Sequence, residues 1–268
     1  MESNRETIKK LHLLCSSHNF IEGLILYGSS VKNPLTRDID IACFISSDRG
    51  IVSPEHYAQL RKIRNEASAY QGYEVDLVPH TLDELDDKIS PLYNPRYNPA
   101  LTNGKILKGN ISVAPISNFE FSISDLARYV SLDNRTITRR QLVRSLSKEE
   151  FSIFLSKLAH TPGNILTARA LQNGDDYYAN PSDYKQSAAY LDAQNKSNSA
   201  RKFAQDIAQL RNQLKDISIP YDEEKAFSSA LKLIQGFETM ISNEFYPKAL
   251  SNLHISQMSI MLRGRNGK

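Results

Sequence analysis

Apolar positions along the first 115 residues switch between two periods. Ile8, Leu11, Leu14 and Cys15 recur at helical spacing and predict an amphipathic helix over residues 5 to 17. "FIEGLILY", residues 20 to 27, is a short apolar run that stops at Gly28 and predicts a buried strand. "DIDIACFIS", residues 38 to 46, alternates polar and apolar at first and then turns continuously apolar, as a central strand does. Ser53, Pro54 and Glu55 have the residue types of an N-cap, a first helical position and a first-turn acid. They open a helix that runs to Tyr70 with Tyr57, Leu60, Ile63 and Ala67 facing inward. "YEVDLVP", residues 73 to 79, has strict period-2 alternation and ends at a proline, which predicts a third strand. Helix, strand, strand, helix, strand makes a mixed α/β sheet.

The pattern changes afterwards. Residues 90 to 110 hold three prolines, two glycines and four asparagines, and read as a long surface connection or an ordered loop at a site. Beyond residue 120 strand patterns nearly stop. "SKEE", residues 147 to 150, is a capping box that opens a helix from Lys148 to His160, and Thr161-Pro162-Gly163 breaks it. Further helical patterns cover residues 183 to 193, 199 to 216, 222 to 243 and 247 to 255. The chain is therefore divided into an α/β domain, residues 1 to 118, and a helical domain, residues 119 to 268. The tail "RGRNGK" is expected to fray.

Composition narrows the class. At 268 residues with 40% hydrophobic and 24% charged content, the chain is long and apolar enough for a globular core. A net charge of +3 and a pI near 8.7 allow an anionic ligand without demanding nucleic acid. Cys15 and Cys43 sit in apolar periodic segments with no metal-like spacing, and read as buried thiols in a reducing compartment. The first ten residues lack the apolar core of a secretory signal, and no uncharged apolar stretch approaches the ~18 residues of a membrane span. The expectation is a soluble cytoplasmic protein. The histidines form no spaced cluster, so no zinc site is expected.

Two aspartates at the head of a strand raise the chemical question. Side chains at i and i+2 share a strand face, so Asp38 and Asp40 project together while Ile39 and Ile41 face the other way. Two carboxylates that close raise each other's pKa unless a cation lies between them. Oxygen ligands without His or Cys favour Mg²⁺, which takes one or two protein carboxylates and completes its shell with water and phosphate oxygens. Gly28-Ser29 supplies a turn where backbone N–H groups and a hydroxyl can approach a phosphate, about ten residues before the acid pair. Glu74 and Asp76 share a face by the same period-2 rule. Asp76, in the more apolar half of its strand, is the better third acid.

"LYGSS", "RDIDIACF" and "EVDLV", in that order and context, resemble the nucleotidyltransferase superfamily that includes DNA polymerase β, antibiotic nucleotidyltransferases and minimal nucleotidyltransferase domains. "NGKILKGN", residues 103 to 110, resembles the glycine-flanked apolar segment that closes such domains. The resemblance covers residues 20 to 110. Two departures stand out: "SVKNPLT" follows Gly-Ser where the family often has a basic-Ala-basic-Gly run, and Arg37 stands where Ser or Thr commonly precedes the first Asp. The resemblance implies that Asp38, Asp40 and Asp76 are catalytic and hold Mg²⁺, and that Ser29, after the Gly28 turn, meets the triphosphate. Lys105 and Lys108 flank the closing segment, either as cations that approach the phosphates, Lys108 foremost, or as a solvated pair in a loop. The resemblance also implies transfer of a nucleoside monophosphate from a nucleoside triphosphate such as ATP to a hydroxyl, with release of pyrophosphate. The acceptor stays open among a small molecule, an RNA end and a protein side chain. The rival is a non-catalytic nucleotide- or nucleic-acid-binding regulatory module on the same fold.

Residues 128 to 148 hold five arginines and one lysine against one acid, Asp133. One reading is a nucleic-acid-binding patch through Arg135, Arg139, Arg140 and Arg144, with Arg140 and Arg144 on one helical face. The other is a helix whose arginines pair with acids elsewhere, such as Asp175 and Asp176.

Overall fold

The computed structural model describes residues 4–116, 123–173, 183–216 and 218–245. Helix α1 (Arg5–Ser16), strand β1 (Ile21–Tyr27), a 3-10 turn at Gly28–Val31, strand β2 (Asp38–Ile45), helix α2 (Pro54–Gln71) and strand β3 (Glu74–Thr81) follow one another in the order the periodicity predicts. Helix α2 begins as its sequence suggests: the Ser53 side chain accepts from the His56 N–H, and Pro54 occupies the first turn. It ends at Gly72 in the left-handed conformation.

The strands form one sheet in the order β3-β2-β1-β4, where β4 is Lys105–Lys108. β1 is antiparallel to both β2 and β4, and β2 is parallel to β3 through the α2 crossover. The protein is thus a mixed α/β fold, a four-stranded mixed sheet followed by helices.

β3 was expected to stop at Pro79 and instead continues to Thr81. It is an edge strand paired only with β2, so the N–H that Pro79 lacks is missed by no neighbour. After helix α3 (Asp83–Asp86), the proline-rich connection is ordered into a 3-10 turn at Pro91–Tyr93, helix α4 (Asn98–Thr102) and β4. Gly109 explains why the closing segment needs glycine just after β4. Its φ is +74°, and a Cβ there would lie 2.1 Å from the Glu22 carbonyl oxygen.

Helices α5 (Ile123–Val143), α6 (Lys148–Ala159), α7 (Thr161–Gln172), α8 (Tyr184–Asn195), α9 (Ser199–Lys215) and α10 (Glu223–Phe245) form the second half. The capping box at Ser147 and Glu150 is present. The helix breaks where expected, with α6 ending at Ala159 and His160 as its C-cap, but Thr161, Pro162 and Gly163 open α7, because proline in a first turn gives up an N–H that has no helical partner anyway. The pattern over residues 247 to 255, the basic tail and the boundary at residue 118 lie outside the described residues.

One apolar core runs from Leu11 and Ile39 on the sheet side through Leu132, Phe154 and Ile207 to Phe237 and Phe245. Polar contacts reinforce that seam. Arg61 of α2 pairs with Glu223 at 2.6 Å and lies over the Phe227 ring. The Tyr57 hydroxyl donates to Glu238 at 2.6 Å, and the Val52 N–H donates to the same carboxylate at 2.8 Å. Tyr57→Phe removes a fully buried bond to a charged acceptor and should cost about 1.5–3 kcal/mol in urea unfolding. A loss under about 0.5 kcal/mol would mean that Glu238 does not need this donor.

Candidate active site

The acids meet at one end of the sheet because three strand ends coincide there. Tyr27, the last residue of β1, stands opposite Asp40, and Asp40 stands opposite Asp76. Asp38 is likewise in register with Glu74. In-register neighbours on a pleated sheet point to one face, so four carboxylates from two adjacent strands share it. Asp38 and Glu74 are exposed, Asp40 is half-buried and Asp76 is 5% exposed.

The chain leaves β1 through Gly28 at φ +75°, and a Cβ on Gly28 would lie 2.6 Å from Asp40 Oδ2. This glycine therefore brings backbone into contact with the acid, which no other residue could do without moving Asp40. Ser29 follows, exposed, at the start of the 3-10 turn, while the buried Ser30 hydroxyl donates to the Tyr27 carbonyl at 3.2 Å. Gly28→Ala is expected to lower activity at this site at least ~10-fold with a stability loss of about 1 kcal/mol, read by turnover and thermal melting side by side. Unchanged turnover would detach the glycine from the chemistry.

The electrostatics show acids in tension. Burial, together with Asp76 and Asp38, pushes the Asp40 carboxyl above the usual range, against the pull of Arg140 and Arg144. Burial also pushes up the Tyr27 hydroxyl, which bonds to Tyr97 beside the acids. Arg140 of α5 donates through Nε to Asp76 Oδ1 at 3.0 Å and through Nη2 to Asp76 Oδ2. Arg144, one turn on, pairs with Glu74.

The arginine-rich segment consequently needs correcting. Arg135 and Arg139 are 1% and 0% exposed, so neither can reach a nucleic-acid backbone. Arg139 donates to Glu238, Glu84 and the Gly50 carbonyl, each at 2.6 Å, and Arg135 donates to Glu84 at 3.0 Å. Arg140 and Arg144 are occupied by Asp76 and Glu74. The run of positive charge is a set of ion pairs with distant acids. Asp175 and Asp176, the partners the sequence suggested, lie outside the described residues.

Lys108 is a second correction. Its ammonium donates to the carbonyls of Cys15, in the last turn of α1, and His18, just beyond it, at 3.1 and 3.2 Å. It sits opposite Leu24, three residues back from Tyr27, and is turned to a helix end instead of the acids. Cys15 and Cys43 are free and buried, as expected.

Asp38 and Asp40 suit a hard divalent cation: oxygen donors on one face, one of them burdened by its neighbours' charge. Asp76 is placed differently, with both oxygens accepting from Arg140. Among the described residues no group of three or more His, Cys, Asp and Glu side chains stands ready for a metal ion.

No protein-family model matches the chain, and no curated protein sequence matches it. Among solved structures it is similar to the spectinomycin adenyltransferase AAD(9) from Enterococcus faecialis, crystallised with ATP and spectinomycin. The identity is 14% over 87% of this chain and 99% of that one, with a TM-score of 0.31. The site is therefore read from its own geometry. Among the described residues no helix is long and apolar enough to cross a membrane.

Nothing in the sequence marks Arg140 and Arg144 as partners of Asp76 and Glu74. Arg64 of α2 was missed as well. It donates to the Val75 carbonyl at 2.9 Å, and burial and Arg144 lower its pKa while Glu74 and Asp76 raise it. The partners of Arg140 and Arg144 are 64 and 70 residues away in the chain, and only i+4 spacing hinted that the two act together.

Proposed function

We propose that the chain is a Mg²⁺-dependent nucleotidyltransferase that moves a nucleoside monophosphate from a nucleoside triphosphate to a hydroxyl acceptor and releases pyrophosphate. The observation that carries this reading is the three-strand junction: Gly28 against Asp40, and Asp40 in register with Asp76. A phosphate-accepting turn and a carboxylate pair are held a side chain apart by hydrogen-bonded backbone, the kind of rigid support that in-line displacement requires.

In this reading Asp38 and Asp40 would hold Mg²⁺, which when bound supplies charge stabilisation to the phosphate oxygens. The Ser29 hydroxyl and the backbone after Gly28 orient the triphosphate. Asp76 takes the proton of the acceptor hydroxyl, or joins the metal site, once Arg140 releases it. The freed Arg140 guanidinium then faces the triphosphate charge, a bidentate match. The bond formed joins the acceptor oxygen to the α-phosphorus, and the bond broken is that to the β-phosphate bridging oxygen, so pyrophosphate leaves.

One observation favours a second reading. Both Asp76 oxygens are engaged by Arg140, which also suits a module that binds nucleotide without turnover. Pyrophosphate release from each of the four NTPs with Mg²⁺, with cell extract as the acceptor pool, separates the two. Release that vanishes in Asp38→Ala/Asp40→Ala supports the enzyme. Nucleotide binding with no release from the wild type, and none in Arg140→Ala, supports the module.

A further inference from the structure

A second cluster of cations lies in the helical half, away from the acid face. A cavity of about 480 Å³ opens between α6, α8 and α9, and its lining includes His160, Tyr184, Lys185, Arg211 and Lys215. None of its described lining residues is Asp or Glu. Among the described residues no ion pair engages Lys185, Arg211 or Lys215, in contrast to the arginines of α5, which are paired with acids. Asp216, next to Lys215, accepts from the N–H and hydroxyl of Ser218 instead.

Among the described residues no acid side chain pairs with these cations. His160, at the end of α6, has its pKa lowered by burial and then by Lys157 and Arg211. Arg211 is half-buried and lies 5.8 Å from the centre of the Tyr184 ring, which fixes one face of its guanidinium. A planar fork held by an aromatic ring, flanked by two exposed ammonium groups, matches an oxyanion that carries more than one charge.

We infer that the α6–α8–α9 cavity is a binding site for a phosphorylated small molecule, with Lys185, Arg211 and Lys215 as its phosphate ligands. Its volume is in the range that holds a compound of nucleotide size, about 300–1,000 Å³. Ser156 and Asn212, also in the lining, offer uncharged hydrogen-bonding groups beside the cations. The inference goes beyond the proposed activity, because it uses no residue of the acid face and needs no metal.

That independence sets the test. ATP serves as the probe in EDTA, where a Mg²⁺-dependent site is silent, and binding is followed by calorimetry. The expected result is one ATP per chain, weakened at least ~10-fold by Lys185→Gln/Lys215→Gln and by Arg211→Gln, and unchanged in Asp38→Asn/Asp40→Asn. Lys185 and Lys215 are exposed, so that pair should leave folding intact, which circular dichroism verifies. No metal-free binding by the wild type would overturn the inference. So would binding that survives the Lys185/Lys215 and Arg211 changes, or displacement of ATP by single-stranded RNA with an affinity that grows with RNA length. Pyrophosphate release with Mg²⁺ is a separate readout, so failure here leaves the proposed activity standing.

Discussion

Asp40→Asn is expected to lower pyrophosphate release by about 10³-fold or more while leaving the protein at least as stable as the wild type. Activity falls because the amide keeps the shape of the carboxylate and loses the charge that the proposed cation requires. Stability moves the other way. The Asp40 carboxyl is held above its usual range by burial, Asp76 and Asp38, so its ionised form is disfavoured by the fold. A carboxyl whose pKa is raised on folding destabilises the protein at neutral pH, and that burden is relieved as the pH falls through the folded pKa. A neutral amide relieves it at every pH. Asp38→Asn, at an exposed position, should be milder and partly rescued by excess Mg²⁺. A less stable Asp40→Asn protein with turnover intact would mean that Asp40 is a structural acid.

Arg139→Ala should cost about 3–5 kcal/mol, the largest stability loss expected from a single change among the arginines of α5. The side chain is fully buried, and its three donor groups reach Glu238, Glu84 and the Gly50 carbonyl. Burial alone would raise the Glu84 pKa. Arg135, Arg139 and the hydrogen bond from His80 outweigh it and hold the carboxyl well below the usual range. The Glu84 contribution is therefore present at neutral pH and lost only under strong acid. Without Arg139, Glu84 keeps Arg135 and His80, while Glu238 keeps only uncharged donors, Tyr57 and the Val52 N–H. Set against a typical total of about 5–15 kcal/mol, that loss brings the chain close to unfolding. Urea denaturation of Arg139→Ala and of Arg139→Ala/Glu238→Gln measures it, and the double change should lose less than the sum of the single ones.

The same network reaches the site. Glu84 Oε2 lies 2.7 Å from His80 Nδ1, His80 Nε2 lies 3.0 Å from the Tyr97 hydroxyl, and Tyr97 bonds to Tyr27 beside Asp40. Residues that anchor the second half to the sheet are thus continuous with those that frame the acid face.

How much of this was legible in the sequence depended on distance along the chain. A short apolar run disclosed β1, a partly alternating and then continuous apolar run β2, and a period-2 run β3, and the i, i+2 rule put Asp38 and Asp40 on one face. The Ser53-Pro54-Glu55 signal and the Ser147–Glu150 box were legible because a cap is settled within four residues. β4 escaped as a strand because "KILK" is only four residues long, and its partner Leu24 is 84 positions from Lys108. The arginines of α5 misled for the same reason. A basic run shows its own charge and conceals its partners, and Arg140 finds Asp76 64 residues away while Arg139 finds Glu238 99 residues away. Burial decided between patch and ion pairs, and burial is a property of the fold.

The most direct measurement follows the label of a nucleoside triphosphate carrying ³²P at the α- or the γ-phosphate, with Mg²⁺ and the acceptor pool. The account predicts that α-label moves onto the acceptor while γ-label leaves in pyrophosphate, both in the wild type and neither in Asp40→Asn. Label from the γ-position appearing as inorganic phosphate or on the acceptor would contradict it, since the bond broken would then be the wrong one.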